Sequence, residues 1–206
     1  MTLATHSTNG HSARATIPLH VSPFPSPAAL ALESTTHAEL DTAFIRGVTP
    51  DVEGLVGWEF RGINHPAWAS LVGIKKFIKG FFRKPDGRVV GYNCPVAQNV
   101  LDGRWYARPN DTAPKRFGFY TVEPVDATAR DNAYLHALLL DYGKGGNKPW
   151  DPTRNIRDYI VQVDPQNPDL LLGKAYMALG PLRVHTNYFI LERHRRGLTN
   201  YARRSS

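Results

Sequence analysis

Asp158, Lys174, Tyr176 and Glu192 are side chains whose types and spacing suit acid–base chemistry or the gripping of a polar group. All four fall in runs that read as strands, where neighbouring side chains alternate between two faces. In 172–178, Lys174 and Tyr176 share one face and Gly173, Ala175 and Met177 the other. In 158–163, Asp158, Ile160 and Gln162 oppose Tyr159, Val161 and Val163. In 186–194, Thr186, Tyr188, Ile190 and Glu192 oppose Asn187, Phe189, Leu191 and Arg193. Alternation does not say which face is inside. Facing inward, Lys174 and Tyr176 would hold a carboxylate or carbonyl while Ile160, Phe189 and Leu191 enclose an apolar tail. Facing outward, they are solvated polar residues. The same four titratable residues are the acid/base candidates for an isomerase, cyclase or lyase, which needs such a group within hydrogen-bond reach of its substrate. Trp58 and Phe60 share a face of an earlier strand and either floor a ligand cavity or close the core, the common use of large aromatics.

Other patterns are weaker. The loop DYGKGGNKPWDP, residues 141–152, is Gly-rich. It lacks the G-x-x-x-x-G-K-[ST] order of a phosphate-cradling loop and reads as a portal loop with Trp150 as its lid. The run KKFIKGFFRK, residues 75–84, interleaves cations and aromatics. That mixture suits phosphates and bases or an anionic membrane surface, and equally suits a structural strand. His65, His136, His185 and His194 are scattered, with no His pair on a helical turn, so no metal site is expected. There is no G-x-S-x-G elbow, and Cys94 is the only cysteine, which excludes an internal disulfide and a cysteine zinc cage.

The elements that must position these residues are mostly short strands. Thr36-His37-Ala38-Glu39 fits a helix capping box, and Leu40, Ala43 and Phe44 follow on one face before Gly47. A strand is expected over 55–62 and a short helix over 66–72. Strands over 76–84 and 88–96 flank the turn Pro85-Asp86-Gly87. Further strands are expected over 103–108, 117–122, 134–142, 157–164, 170–179 and 184–193, with one helical turn at 126–133. Many short strands with regular turn punctuation predict a mainly β fold, an antiparallel barrel or sandwich, and a barrel removes exposed edges.

The helix, then Pro50-Asp51-Val52-Glu53-Gly54-Leu55, then Gly57-Trp58-Glu59-Phe60-Arg61-Gly62 resembles the opening of bacterial GXWXG-domain proteins. Ile156 to Tyr159, Pro168 to Tyr176 and Tyr188 to Arg193 are similar to the C-terminal companion domain of unknown function that those proteins carry. The resemblance covers roughly residues 36–195. It implies a calycin-like barrel with a short N-terminal helix, an architecture shared with lipocalins and fatty-acid-binding proteins, and it brings no settled activity.

The chain has 206 residues, enough for one domain with a real core. Residues 1–35 read as a flexible Ser/Thr/Pro-rich tail, 36–196 as a single barrel domain and 197–206 as a short basic tail. The net charge of +7 favours anionic partners without choosing among them. No apolar run is long enough for a membrane span, and no signal-peptide core is visible, so a cytoplasmic location is expected. The leading expectation is a carrier or sensor for a small, largely apolar molecule with a polar or anionic end, held by Trp58, Phe60, Ile160, Lys174, Tyr176, Phe189 and Leu191. No cofactor is expected. An enzyme using the same cavity is the alternative, and electrostatic contact with nucleic acid or an anionic surface the second alternative.

Overall fold

The computed structural model describes residues 22–65 and 73–198. Most of both expected tails and the expected helix over 66–72 lie outside the described residues.

Among the described residues, three short helices precede the strands: α1 (Pro27–Glu33), α2 (His37–Arg46) and α3 (Val52–Leu55). Each begins on a side chain that satisfies free helix-start amides. Ser26 caps α1 with Pro27 behind it, Thr36 and Glu39 form the capping box of α2, and Asp51 accepts from Glu53 and Gly54 at α3. Helix α1 falls within the segment 1–35 that the composition marks as a tail. Its segment lacks the pattern of a long helix, yet a cap followed by proline starts one, because Pro27 has its φ preset and lacks only an amide that would go unpaired there. Ala29 of α1 is buried, and the Ser26 amide donates to Glu192 at 3.1 Å.

Eight antiparallel strands then close into a barrel: β1 (Trp58–Asn64), β2 (Lys76–Arg83), β3 (Val89–Pro95), β4 (Phe117–Pro124), β5 (Leu138–Asp141), β6 (Ile156–Gln162), β7 (Leu170–Leu179) and β8 (Leu182–Arg196). Each strand pairs with the next, and β8 returns to β1 with Asn64 opposite Phe189 and Trp58 opposite Arg196. The fold is the mainly β antiparallel barrel that the strand pattern predicts, and its closure is consistent with the calycin-like architecture that the resemblance implies. The expected turn at Pro85-Asp86-Gly87 joins β2 to β3, with Gly87 at φ +85°, a left-handed conformation that glycine adopts without penalty.

Two expected elements are absent. Residues 103–108 form no strand beyond one bridge, Val96 to Ala107. This segment folds over the outside instead, with Trp105 buried and its indole N–H donating to the Phe77 carbonyl at 3.0 Å. The helical turn expected at 126–133 is a series of turns, although Asp126 does accept from the Thr128 amide.

Both faces of the sheet are apolar. Phe60, Phe81, Tyr120, Leu138, Leu140, Ile160, Leu171 and Leu191 fill the interior. On the outside, Tyr159, Leu172, Tyr188 and Ile190 pack with Leu40 and Phe44 of α2. The helices therefore cover a part of the wall that would otherwise present apolar surface to water.

Candidate functional site

In an up-and-down barrel, the β1–β2, β3–β4, β5–β6 and β7–β8 connections gather at one end. The opposite half is filled by the interior cluster. The end near those four connections holds a cavity of about 380 Å³ that opens to solvent, at the small end of the ~300–1,000 Å³ usual for small-molecule pockets. Its wall is mainly apolar, with Ile74, Phe77, Phe117, Ile156, Met177 and Phe189 prominent.

Two glycines set the wall. A Cβ on Gly62 would lie 2.3 Å from the Phe77 ring, and one on Gly173 would lie 2.1 Å from the Phe189 ring. Each aromatic ring thus lies flat across a glycine of the adjacent strand instead of pointing into the lumen. Phe77 and Phe189 meet edge-on, with ring centres 6.0 Å apart.

The cavity floor is polar. Lys79 of β2, Asn93 of β3, Tyr142 just after β5 and Asp158 of β6 converge there. Lys79 is 2% exposed and Asp158 3% exposed. The Lys79 ammonium donates to Asp158 Oδ2 at 2.9 Å, to Asn93 Oδ1 at 3.1 Å and to the Tyr142 hydroxyl. Tyr142 donates in turn to Asp158 Oδ2 at 3.1 Å. The Asn93 amide donates to Gly118 O at 3.0 Å and to the Tyr142 hydroxyl at 3.1 Å. Aromatic faces surround the ammonium, with the Tyr120 ring centre at 4.7 Å and that of Phe189 at 5.3 Å. Burial pushes the Lys79 pKa down, and the Asp158 charge opposes that shift. Burial also raises the Tyr142 hydroxyl well above its ordinary value, with the Asp158 charge adding to the rise, so Tyr142 stays a protonated donor.

Of the site residues named from sequence, Asp158, Tyr176 and Phe189 line this cavity. Phe60, Ile160 and Leu191 face the same interior but belong to the filled half. Trp58 stands at the closed end, half-buried, with the Arg196 guanidinium 3.8 Å from its ring centre.

Lys174 and Glu192 lie outside, which corrects the expectation of Lys174 and Tyr176 as a gripping pair inside. Lys174 lies on the outer face, bonded to Asp41 of α2 and, at 3.2 Å, to the Tyr134 hydroxyl. Tyr176 reaches the cavity edge at a β7 bulge, but its ring packs with Tyr134, Tyr159 and His185 and its hydroxyl meets that of Tyr134 at 2.6 Å. Glu192 pairs outside with Arg61 at 3.1 Å. The physical reason is the cover provided by α1 and α2: a half-buried outer wall accepts paired charges, so polar side chains there are not solvated ones.

Lys79, Tyr142 and Asn93 were missed as site residues. The signal for Lys79 was its place between Phe77 and Phe81 on one strand face, a cation flanked by two aromatic residues. Asp158, in step with Ile160, is the matching anion.

The basic, aromatic run over 75–84 is no surface stripe. Lys79 is in the floor. Lys76 is buried beneath Trp105, its ammonium 3.7 Å from the ring centre and bonded to Asn99 and the Val100 and Arg104 carbonyls. Burial pulls its pKa down to about 8. Trp150 is no lid: it is 77% exposed, with the Lys148 ammonium 5.5 Å from its ring centre, although Thr153 and Ile156 nearby do line the cavity. Cys94 is buried in the outer cluster, where desolvation raises its thiol to about 12. Among the described residues, no group of three or more His, Cys, Asp or Glu is placed to hold a metal ion, and no helix is long and apolar enough to cross a membrane.

No family model matches this chain, and neither a curated protein nor a solved structure matches it.

Proposed function

We propose that the barrel receives a small, largely apolar molecule in its open half, with the molecule's polar end resting on the floor formed by Lys79, Asn93, Tyr142 and Asp158. The single observation that carries this reading is an apolar cavity, open at one end, over a buried and hydrogen-bonded ion pair. An ion pair taken out of water is costly and is often matched or bettered by apolar packing. Its position beneath a cavity instead of within the solid half of the barrel suits a recognition role. The resemblance to GXWXG-domain proteins is compatible with this reading and gives no residue a role.

Binding is favoured over general-acid catalysis by the bonding of the floor. A catalytic acid needs a proton free to give to the substrate. Lys79 and Tyr142 direct all of their protons to partners within the floor. Burying about ten methylenes contributes roughly 8 kcal/mol, against association costs of roughly 4–15 kcal/mol, which leaves room for micromolar affinity.

Native mass spectrometry of freshly purified protein, followed by titration of the delipidated protein with apolar probes, tests the reading. A retained small molecule, or saturable binding of a probe at micromolar concentration, is expected. Failure of alkyl and aromatic probes alike to bind, with no molecule retained, would remove it.

A further inference from the structure

The β7–β8 hairpin reaches past the strands beside it. On one side β6 begins at Ile156, opposite Met177. On the other, β1 ends at Asn64, opposite Phe189. Among the described residues no strand flanks the tip, where Leu179 pairs with Leu182 across the Gly180-Pro181 turn. This tip lies at the end of the barrel where the cavity opens.

In an antiparallel pair, opposite residues share a face, and every second residue returns to it. Met177 lies opposite Val184 and Leu179 opposite Leu182, so all four share one face. Met177 lines the cavity, and the face therefore continues the cavity wall out past the rim. Its outer side chains stand in water: Leu179 is 53% exposed, Leu182 64% and Val184 46%. A single exposed leucine is ordinary, whereas a contiguous apolar face on a projecting hairpin marks a surface that meets something apolar. Two connections at the opposite end, 84–88 and 163–169, expose no large apolar side chain.

Cations border the hairpin. Arg130, itself exposed, donates to the Gly180 carbonyl at the turn at 2.7 Å. The single helical turn Pro152–Asn155 packs against β7 and carries Arg154, with Lys148 and the exposed Trp150 just before it. Among the described residues Arg130, Lys148 and Arg154 pair with no carboxylate. The carboxylates of this region are engaged elsewhere. Asp131 is held by Arg157 and Arg183, and Asp151 accepts from the Thr153 amide and hydroxyl.

We propose that this end of the barrel docks on an anionic lipid bilayer, with the Leu179–Leu182 tip among the acyl chains and Arg130, Lys148 and Arg154 against the headgroup phosphates. Charge complementarity selects this occupant. A second copy of the chain would cover the leucines but bring the same cations against the first set. An anionic bilayer matches both features, and an exposed tryptophan suits the boundary between acyl chain and headgroup. The proposal goes beyond the cavity reading and does not depend on it, since the hairpin tip and its cations lie outside the cavity. Together the two give an apolar ligand a path from bilayer to barrel along one apolar face.

The test is equilibrium sedimentation of the whole protein with vesicles of phosphatidylcholine, alone or mixed with phosphatidylglycerol. Partition onto the mixed vesicles is expected to exceed that onto phosphatidylcholine by about tenfold or more and to fall as salt rises. Leu179→Ser with Leu182→Ser leaves the charge unchanged and is expected to lower partition onto mixed vesicles by about tenfold or more. Lys148→Gln with Arg154→Gln should lower it by a similar factor while keeping both leucines. Equal partition onto the two vesicle types, or partition onto neither, overturns the proposal. So does undiminished partition of the leucine variant with an unchanged circular dichroism spectrum. If that variant does not fold, Leu182→Ser alone is read in its place. Sedimentation velocity without lipid covers the other occupant: a dimer of the unmodified protein that the leucine variant abolishes assigns the face to self-association and overturns the bilayer. Each of these failures leaves the cavity reading to its own probe titrations.

Discussion

Lys79 and Asp158 lie 79 residues apart in sequence, on β2 and β6, and meet at 2.9 Å inside the barrel with almost no exposure to solvent. Their contact spans the lumen between strands that are not neighbours in the sheet. It therefore separates the packed half of the barrel from the open half, and the cavity exists where apolar packing stops at this pair.

Breaking the pair from one side strands a buried charge, whereas removing both charges does not. Lys79→Met is expected to destabilise the protein by about 3–5 kcal/mol. The double variant Lys79→Met, Asp158→Leu is expected to be considerably more stable than the Lys79→Met protein. Urea denaturation of both, with the unmodified protein, gives the coupling. Losses that simply add would show that the two charges are not balanced by each other.

Phe189 keeps clear of the lumen only because Gly173 has no side chain. Gly173→Ala should turn the ring inward, cost about 1–3 kcal/mol through overpacking and abolish probe binding by filling the cavity. Adding Phe189→Leu to that variant should restore part of the binding, since the smaller side chain can share the space. Probe titrations of the two variants separate these outcomes, and unchanged affinity in Gly173→Ala would mean that Phe189 does not wall the site.

The strand series was legible because period-two runs and turn residues are local signals: 170–179 was read with the bounds that β7 has, and Pro85-Asp86-Gly87 marked its turn. The inner face was not legible. On β6 to β8 both faces carry apolar residues, Ile160, Phe189 and Leu191 inside and Tyr159, Tyr188 and Ile190 outside. Hydrophobicity alone cannot rank two apolar faces when a helix covers one of them. Lys174 and Tyr176 were therefore open to either assignment. The partner of Asp158 was hidden for another reason, since its pairing with Lys79 crosses the lumen and leaves no mark in strand register. What the sequence did hold was a cation between Phe77 and Phe81 and an anion in step with Ile160, opposite charges each beside apolar neighbours.

Lys174 ties α2 to the outside of the barrel through Asp41, and Tyr188 donates to the same carboxylate. Lys174→Met should therefore leave affinity for neutral and anionic probes equally unchanged, while loosening α2 and costing about 1–2 kcal/mol. Faster amide exchange in His37–Arg46 is the expected signature. A selective loss of anionic probe binding would return Lys174 to the ligand site.

Acid should weaken this fold before its carboxylates titrate. The ring nitrogens of His194 are shielded from solvent, and Arg61 and Arg195 lie nearby. Burial first, then those two cations, push its pKa from 6.5 down to about 3, against a smaller opposing effect from Asp111. Between those values the unfolded chain binds a proton that the folded chain refuses. The stability that comes from a neutral His194 is thus fully present above about pH 6.5 and is lost as pH falls toward 3, by up to about 1.4 kcal/mol per pH unit. His65 and His185 are shifted down mainly by burial and act in the same sense. Asp41 is held below its ordinary value by hydrogen bonds from Lys174 and Tyr188, so its contribution fades only at lower pH, as the carboxylate takes up a proton. The window from pH 6.5 to 5.5 lies above the ordinary carboxylate range and therefore isolates the histidines. Urea denaturation across that window should show stability falling with acidity, and His194→Gln, which cannot titrate, should flatten the slope by close to one proton's share. An identical slope in the variant would mean that His194 takes up its proton in the folded protein as readily as in the unfolded one.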